Sequence, residues 1–202
     1  MLRTWLDGFS DLLASGGLTM PPLILCAAMI WFSLGMRFML LRRGSRAELR
    51  VVLKTHLAGA GGEPVGVINR AAHIGAQAAA QFSGRVPHSV LEEIYADLRL
   101  DLEWGRLLIR SLVAMAPLLG LLGTVTGMIE TFRSLADMAL FTQGGGIAGG
   151  IGEALLTTQV GLAVSVPGLI AGRLLDRKQE LLEGELSRLG ELLSSGAHLE
   201  AA

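Results

Sequence analysis

The sequence predicts an all-α integral membrane protein with three transmembrane helices and long cytoplasmic helical extensions. Three observations carry this expectation. The mean hydropathy is +0.52 and 17% of residues are charged, where a soluble globular domain carries about 25%. Three apolar runs, Leu18–Met36, Ser111–Ile129 and Ile151–Gly172, have about the 20 residues that cross a bilayer core as a helix. Around them, charged stretches repeat apolar residues at the helical period.

Composition excludes several function classes. A formal net charge of −1 and a pI near 6.4 give no electrostatic footprint for nucleic acid. The single cysteine, Cys26, lies inside an apolar run and reads as a small buried hydrophobe, so neither a disulfide framework nor a cysteine metal site is expected. Glycine is abundant, with 27 residues, as in membrane helices that pack closely. Asp7 and Asp11 precede the first apolar run, and no basic start leads into it, so that run is read as a retained span.

Met1–Gly17 is short and amphipathic, with Trp5, Phe9 and Leu12 suited to the membrane interface. The first span is placed at about 18–41, with Pro21 and Pro22 in its first turn, where a missing N–H matters least. Arg37, Arg42, Arg43, Arg46, Arg50 and Lys54 follow, against the single acid Glu48. The positive-inside rule makes this end cytoplasmic and the N-terminus periplasmic.

Residues 42–110 form the expected cytoplasmic portion. Gly59–Pro64 reads as a loop, Val65–Phe82 as an alanine-rich helix and Ser83–Pro87 as a break. His88–Arg110 is expected to be one amphipathic helix that runs without interruption into the second span, with Val90, Ile94, Leu98 and Leu102 on its apolar face. His56, His73 and His88 lack a ligand spacing and are expected in surface or packing roles.

The second span is placed at about 111–132. On a helical wheel Ala116, Gly120, Gly123, Gly127 and Thr131 share a close-packing face with Thr124 on its edge, and Pro117 is a kink candidate. Gly123 and Gly127 form a GxxxG pair, which by itself says that helices pair here. Residues 133–150 are expected to be a periplasmic loop. Gly144, Gly146 and Gly149 match GxGxxG formally, but the strand and dinucleotide fold that this motif needs are not predicted, so the stretch is read as a turn region.

The third span, about 151–172, has two faces. Glu153, Ala154, Thr157, Thr158, Gly161, Ser165, Gly168, Ala171 and Gly172 occupy roughly 140° of the wheel, with Val164 as the one branched residue among them. The bulky Leu155, Leu156, Val160, Leu162, Val166, Leu169 and Ile170 occupy the rest. Arg173, Arg177 and Lys178 mark a cytoplasmic end, so the C-terminus is expected inside. Residues 173–202 are read as a cytoplasmic amphipathic helix with Leu181, Leu182, Leu186, Leu189, Leu192 and Leu193 on its packing side.

No nucleophile–base pair, metal cluster or phosphate cradle is visible, so the chain is not expected to be an enzyme or to hold a cofactor. What it offers is one acid within an apolar span, Glu153, and three hydroxyls, Thr124, Thr157 and Thr158. An ionisable group in a spanning helix is costly and marks function by default. Carboxylates in low-dielectric surroundings bind protons more readily than in water, which suits a proton relay. The residues alone leave a second reading open. Glu153 is close to the start of its run, where an acid snorkels to the interface and meets the positive end of the helix dipole, and the threonines then serve helix packing.

The stretches Ala116–Phe132 (APLLGLLGTVTGMIETF) and Ile151–Gly168 (IGEALLTTQVGLAVSVPG) resemble the MotA/TolQ/ExbB proton-channel family, most closely its ExbB and TolQ branches. The resemblance rests on Pro117, Gly120, Gly123, Thr124 and Val125 in one helix, and on Glu153 followed by Pro167 in the next. It implies an inner-membrane subunit, a homopentamer around single-span partners of the ExbD/TolR type, coupled to a TonB- or TolA-like protein. It further implies that protons are the transported ion. Glu153 matches the family's third-helix glutamate, Thr158 the threonine after it and Thr124 the second-helix threonine. Thr157 matches no fixed family position. Gly120, Gly123, Gly127, Gly161, Gly168, Pro117 and Pro167 are expected helix-packing positions. Three expected spans argue against the four-span MotA branch. The residues alone do not separate an ExbB role from a TolQ role or from a non-conducting scaffold.

Overall fold

The computed structural model describes residues 17–45, 47–59, 64–82, 85–138 and 145–196, with the backbone alone at 134, 137, 138 and 145–148. Trp5, Phe9 and Leu12 of the expected interfacial stretch lie outside them. Among the described residues all regular structure is helical. A 3₁₀ turn, Gly17–Thr19, leads into α1 (Met20–Leu40). Then come α2 (Leu49–Leu57), α3 (Val67–Gln81), α4 (His88–Glu103), α5 (Arg106–Met138) and α6 (Gly145–Ser195). Three helical stretches are long and apolar enough to cross a membrane: Gly17–Leu40, one within His88–Arg133 and one within Gly149–Ser195.

Two expectations on continuity need correction. His88–Arg110 does not pass unbroken into the second apolar segment. The helix stops at Trp104–Gly105, where Gly105 has φ +72°, a left-handed conformation that glycine adopts without a Cβ penalty. Arg133–Gly150 is not a loop throughout, because α5 continues to Met138 and α6 begins at Gly145. Gly144 lies outside the described residues, as does the rest of 139–144. The third apolar run and the charged stretch after it form a single helix, α6, a helical extension of the expected kind, and residues 197–202 lie outside the description.

The chain divides into two compact units, with α1, α5 and α6 contributing to both. Unit one comprises described residues 17–34 and 107–172. Its α5–α6 contacts come from small residues, Met20, Leu23 and Ile30 of α1 are buried beside them, and its outward surface is apolar: Leu25, Trp31, Phe32, Leu118, Leu121, Leu122, Val125, Leu155, Leu162 and Ile170 are all exposed. Lipid is as apolar as leucine, so bulky side chains gain little by turning inward, and close backbone packing decides which faces meet. Cys26 is buried, and its thiol donates to the Leu112 carbonyl at 3.4 Å.

Unit two, 35–106 with 173–196, follows the opposite rule, with leucines inside. Val52 and Leu53 of α2, Ile68, Ala71, Ala72 and Ala79 of α3, Leu91, Tyr95, Leu98 and Leu102 of α4, and Leu182, Leu186, Leu189 and Leu193 of α6 are all buried. Each fully buried leucine is worth about 1.5–3 kcal/mol in water. Two face assignments change. On α4 the buried set is Leu91/Tyr95/Leu98/Leu102, and Val90 and Ile94 are half-buried. On α6 Leu181 is 72% exposed, because the 3.6-residue repeat lets one member of the Leu181–Leu182 pair face inward.

Candidate functional site

The site is built on the crossing of α5 and α6 in unit one. On α5, Ala116, Gly120, Gly123, Gly127 and Thr131 recur every three or four residues and are buried. On α6, Gly150, Ala154, Thr157, Gly161, Ser165 and Gly168 do the same. The two rows meet along their length. A Cβ on Gly120 would lie 3.0 Å from the Thr157 carbonyl oxygen and 3.2 Å from Thr158 Cα. One on Gly127 would lie 2.7 Å from the Gly150 carbonyl oxygen, and one on Gly161 2.8 Å from the Ala116 carbonyl oxygen. One on Gly123 would overlap the Thr157 side chain. Gly168 faces α1 as well as α5, with the Ile30 and Val113 methyls 3.2 Å and 3.0 Å from a Cβ there. Pro117 and Pro167 sit inside helices that continue through them. Lacking an N–H, they release the carbonyls four residues earlier, those of Val113 and Ala163, from the helical ladder.

This crossing holds the hydroxyls. Thr157 is fully buried and donates to its own helix, to the carbonyls of Glu153 at 3.1 Å and Ala154 at 3.0 Å. Thr158 reaches across to the Gly120 carbonyl at 3.3 Å, sharing its proton with Ala154 at the same distance. Thr124 is half-buried and donates to the Leu121 carbonyl at 2.7 Å. Each hydroxyl proton is thus directed at a backbone carbonyl. What remains on each oxygen is acceptor capacity, suited to a water or a protonated carboxyl.

Glu153 precedes Thr157 by one turn, and its side chain is half-buried. The structure brings Thr157, Thr158, Gly120 and Gly123 together at the crossing. The Glu153 carboxylate lies instead against Gly17, where an added Cβ would overlap it. Sequence reading did not single out Gly17.

Unit two contains a second polar group that sequence reading missed. Arg37, taken as part of the basic flank, is 1% exposed. It pairs with Asp176 at 2.8 Å and donates to Gln179 Oε1 at 2.5 Å. Arg106 approaches the same carboxylate at 3.5 Å, and Gln179 donates to Glu183 at 2.6 Å. The available signal was an arginine just after one apolar run and an aspartate just after another. His56 and His73 take a packing role, their rings meeting edge-on at 6.0 Å. Among the described residues no group of three or more His, Cys, Asp or Glu is placed to hold a metal ion.

Residues 67–188, more than half of the chain, match the profile of the MotA/TolQ/ExbB proton channel family. This range contains the whole crossing, Glu153 and the three threonines. The chain belongs to the MotA/TolQ/ExbB proton channel family. Within it, the ExbB-like 1 protein of Synechocystis is 47% identical over 76 residues, covering 35% of this chain and 29% of that protein. The biopolymer transport protein exbB1 of Vibrio cholerae is 38% identical over 87 residues, covering 41% and 38%. The Tol-Pal system protein TolQ of Pseudomonas aeruginosa is 32% identical over 111 residues, covering 52% and 48%. The chain therefore matches between about a third and a half of the length of these curated relatives. Family membership and the three apolar helices make it a membrane protein of a transport-associated channel family.

Proposed function

We propose that this chain is the proton-conducting subunit of an inner-membrane energy-transducing complex that uses the proton motive force to drive TonB-dependent transport across the outer membrane. The observation that supports this is the position of Glu153 on α6, one helical turn before the hydroxyls of a tight helix crossing, in a chain of the proton channel family. Glu153 binds and releases the proton, and Thr124, Thr157 and Thr158 accept from it or from water along the path. The driving force is about 2.3 kcal/mol per charge per 100 mV.

In this reading the N-terminus is periplasmic and the C-terminus cytoplasmic, and the spans lie near residues 18–41, 111–132 and 151–172. The chain assembles as a homopentamer around single-span ExbD/TolR-like helices and engages a TonB- or TolA-like protein. The apolar outer surface of unit one supports burial in lipid and against further copies. Proton flux into liposomes holding the complex and its partner tests the proposal. Glu153→Gln abolishes flux with assembly intact; flux equal to wild type would leave the chain a scaffold. A native mass of one chain would contradict the pentamer.

A second reading, a TolQ-like subunit of an envelope-maintenance motor, is favoured by the longer match to TolQ. The genes adjacent to this one, TonB and ExbD against TolR and TolA, separate the two.

A further inference from the structure

We infer that Gly17 is a positioning residue for Glu153: the turn that starts α1 is a same-chain seat for the carboxylate, and the seat exists because residue 17 has no side chain. Two independent observations meet there. An ideal Cβ on Gly17 would overlap Glu153 Oε1 and lie 2.5 Å from its carboxyl carbon. The turn itself has φ +56° at Gly17, a conformation in which residues with a Cβ are strained.

The chemistry of the seat suits an acid. The Gly17–Thr19 turn runs directly into the 21-residue helix α1, whose first N–H groups carry the partial positive charge of a helix start. Pro21 and Pro22 carry no N–H, so the free N–H groups of this helix start include those of the residues before them. Glu153 reaches this turn from α6, with Thr157 and Thr158 one turn away on the other side of its backbone attachment. The carboxylate therefore lies against the α1 turn, while the hydroxyls of the crossing stand one helical turn further along α6. Moving a proton along the crossing requires the carboxyl group to leave the turn for the hydroxyls. Gly17 sets whether it can lie at the turn.

This rests on the proposed role of Glu153 as proton carrier, but its test does not require flux. In the assembled complex, the rate at which dicyclohexylcarbodiimide modifies residue 153 is followed by peptide mass spectrometry. Gly17→Ala unseats the carboxylate and raises the rate about two- to fivefold, the size of a helix-end charge interaction. With Glu153→Asp the shorter side chain withdraws from residue 17, so adding Gly17→Ala leaves the rate of that variant unchanged. An unchanged rate in Gly17→Ala overturns the inference. An equal rise in both backgrounds also overturns it, because the substitution would then loosen the start of α1 without acting through the carboxylate. Where Gly17→Ala does not assemble, Gly17→Asn carries the same test, since asparagine accepts a positive φ. Loss of the channel role of Glu153 would appear separately, as wild-type flux in Glu153→Gln.

Discussion

The Thr158 hydroxyl donates across the helix crossing to the Gly120 carbonyl at 3.3 Å. The contact is possible because residue 120 has no Cβ: one there would stand 3.2 Å from Thr158 Cα and 3.0 Å from the Thr157 carbonyl oxygen. The small-residue row and the hydroxyls of the candidate proton path are thus one construction. Glycine on α5 brings the backbones together, and the closeness lets a hydroxyl of α6 reach the neighbouring helix.

The crossing predicts unequal costs for glycine substitutions. Gly127→Ala and Gly150→Ala drive a Cβ into backbone atoms of the facing helix, and each is expected to cost about 1–3 kcal/mol. Gly184 has open space around its Cβ position, so Gly184→Ala gains helix propensity and stabilises by about 0.4–1 kcal/mol. Thermal unfolding of the detergent-solubilised complex checks the ranking, and equal midpoints for the three variants would contradict it.

Thr158→Val keeps the shape and removes the hydroxyl. The Gly120 carbonyl retains its place in its own helix, so stability falls by about 1 kcal/mol or less. Proton flux in liposomes is expected to fall about tenfold or more, the scale of a positioned proton-handling group. Thr158→Ser retains flux. Flux unchanged in Thr158→Val would reduce this hydroxyl to packing.

Removing Arg37 takes the closest ion-pair partner from a mostly buried carboxylate. Asp176 keeps Arg106 at 3.5 Å but loses its closer partner at 2.8 Å. Breaking a buried pair costs about 3–5 kcal/mol, so Arg37→Ala is expected to lower the amount of assembled protein sharply. Arg37→Ala with Asp176→Ala together is expected to be milder than the two single losses added. Quantitative blotting of membrane fractions reads the difference, and strict additivity would show that the pair is not coupled.

Tyr95, the sole tyrosine of the chain, is buried in unit two and donates to the Ala71 carbonyl at 3.2 Å. Burial pushes its phenol well above the ordinary value of ~10. The folded state therefore keeps the proton after the unfolded state has lost it. The Tyr95 contribution is fully present below pH ~10 and is lost as pH rises from there toward the folded-state value. Phenolate absorbance, which reports this residue alone, is expected to appear together with alkaline unfolding and not before it. Tyr95→Phe removes this component of the alkaline destabilisation at a cost near neutral pH of about 1 kcal/mol.

Much of the architecture was legible in the chain itself. Apolar length marked three spanning helices. The spacing of Ala116, Gly120, Gly123 and Gly127 marked the contact face of α5, and the small residues from Ala154 to Gly168 marked that of α6. These features are periodic and local, and a helical wheel reads them directly. The Leu91/Tyr95 face of α4 was misassigned by one position because aliphatic residues lie on both candidate faces. The break at Gly105 was missed because one glycine in a long amphipathic pattern is compatible with helix or with a positive φ, and the choice depends on what packs around it.

What the sequence by itself determined is the helical class, the three apolar spans and the presence of a single acid within the third. Hydrophobicity and helical period decide these, and both belong to short stretches of chain. Only the tertiary structure decided where that acid goes. Glu153 is 136 positions from Gly17 in the numbering (153 − 17), and Arg37 pairs with Asp176 from a similarly distant part of the chain. No local pattern encodes such meetings. They arise because close-packed helices bring their ends together, and a charge left there takes whichever partner, turn or counter-ion lies within reach of its side chain.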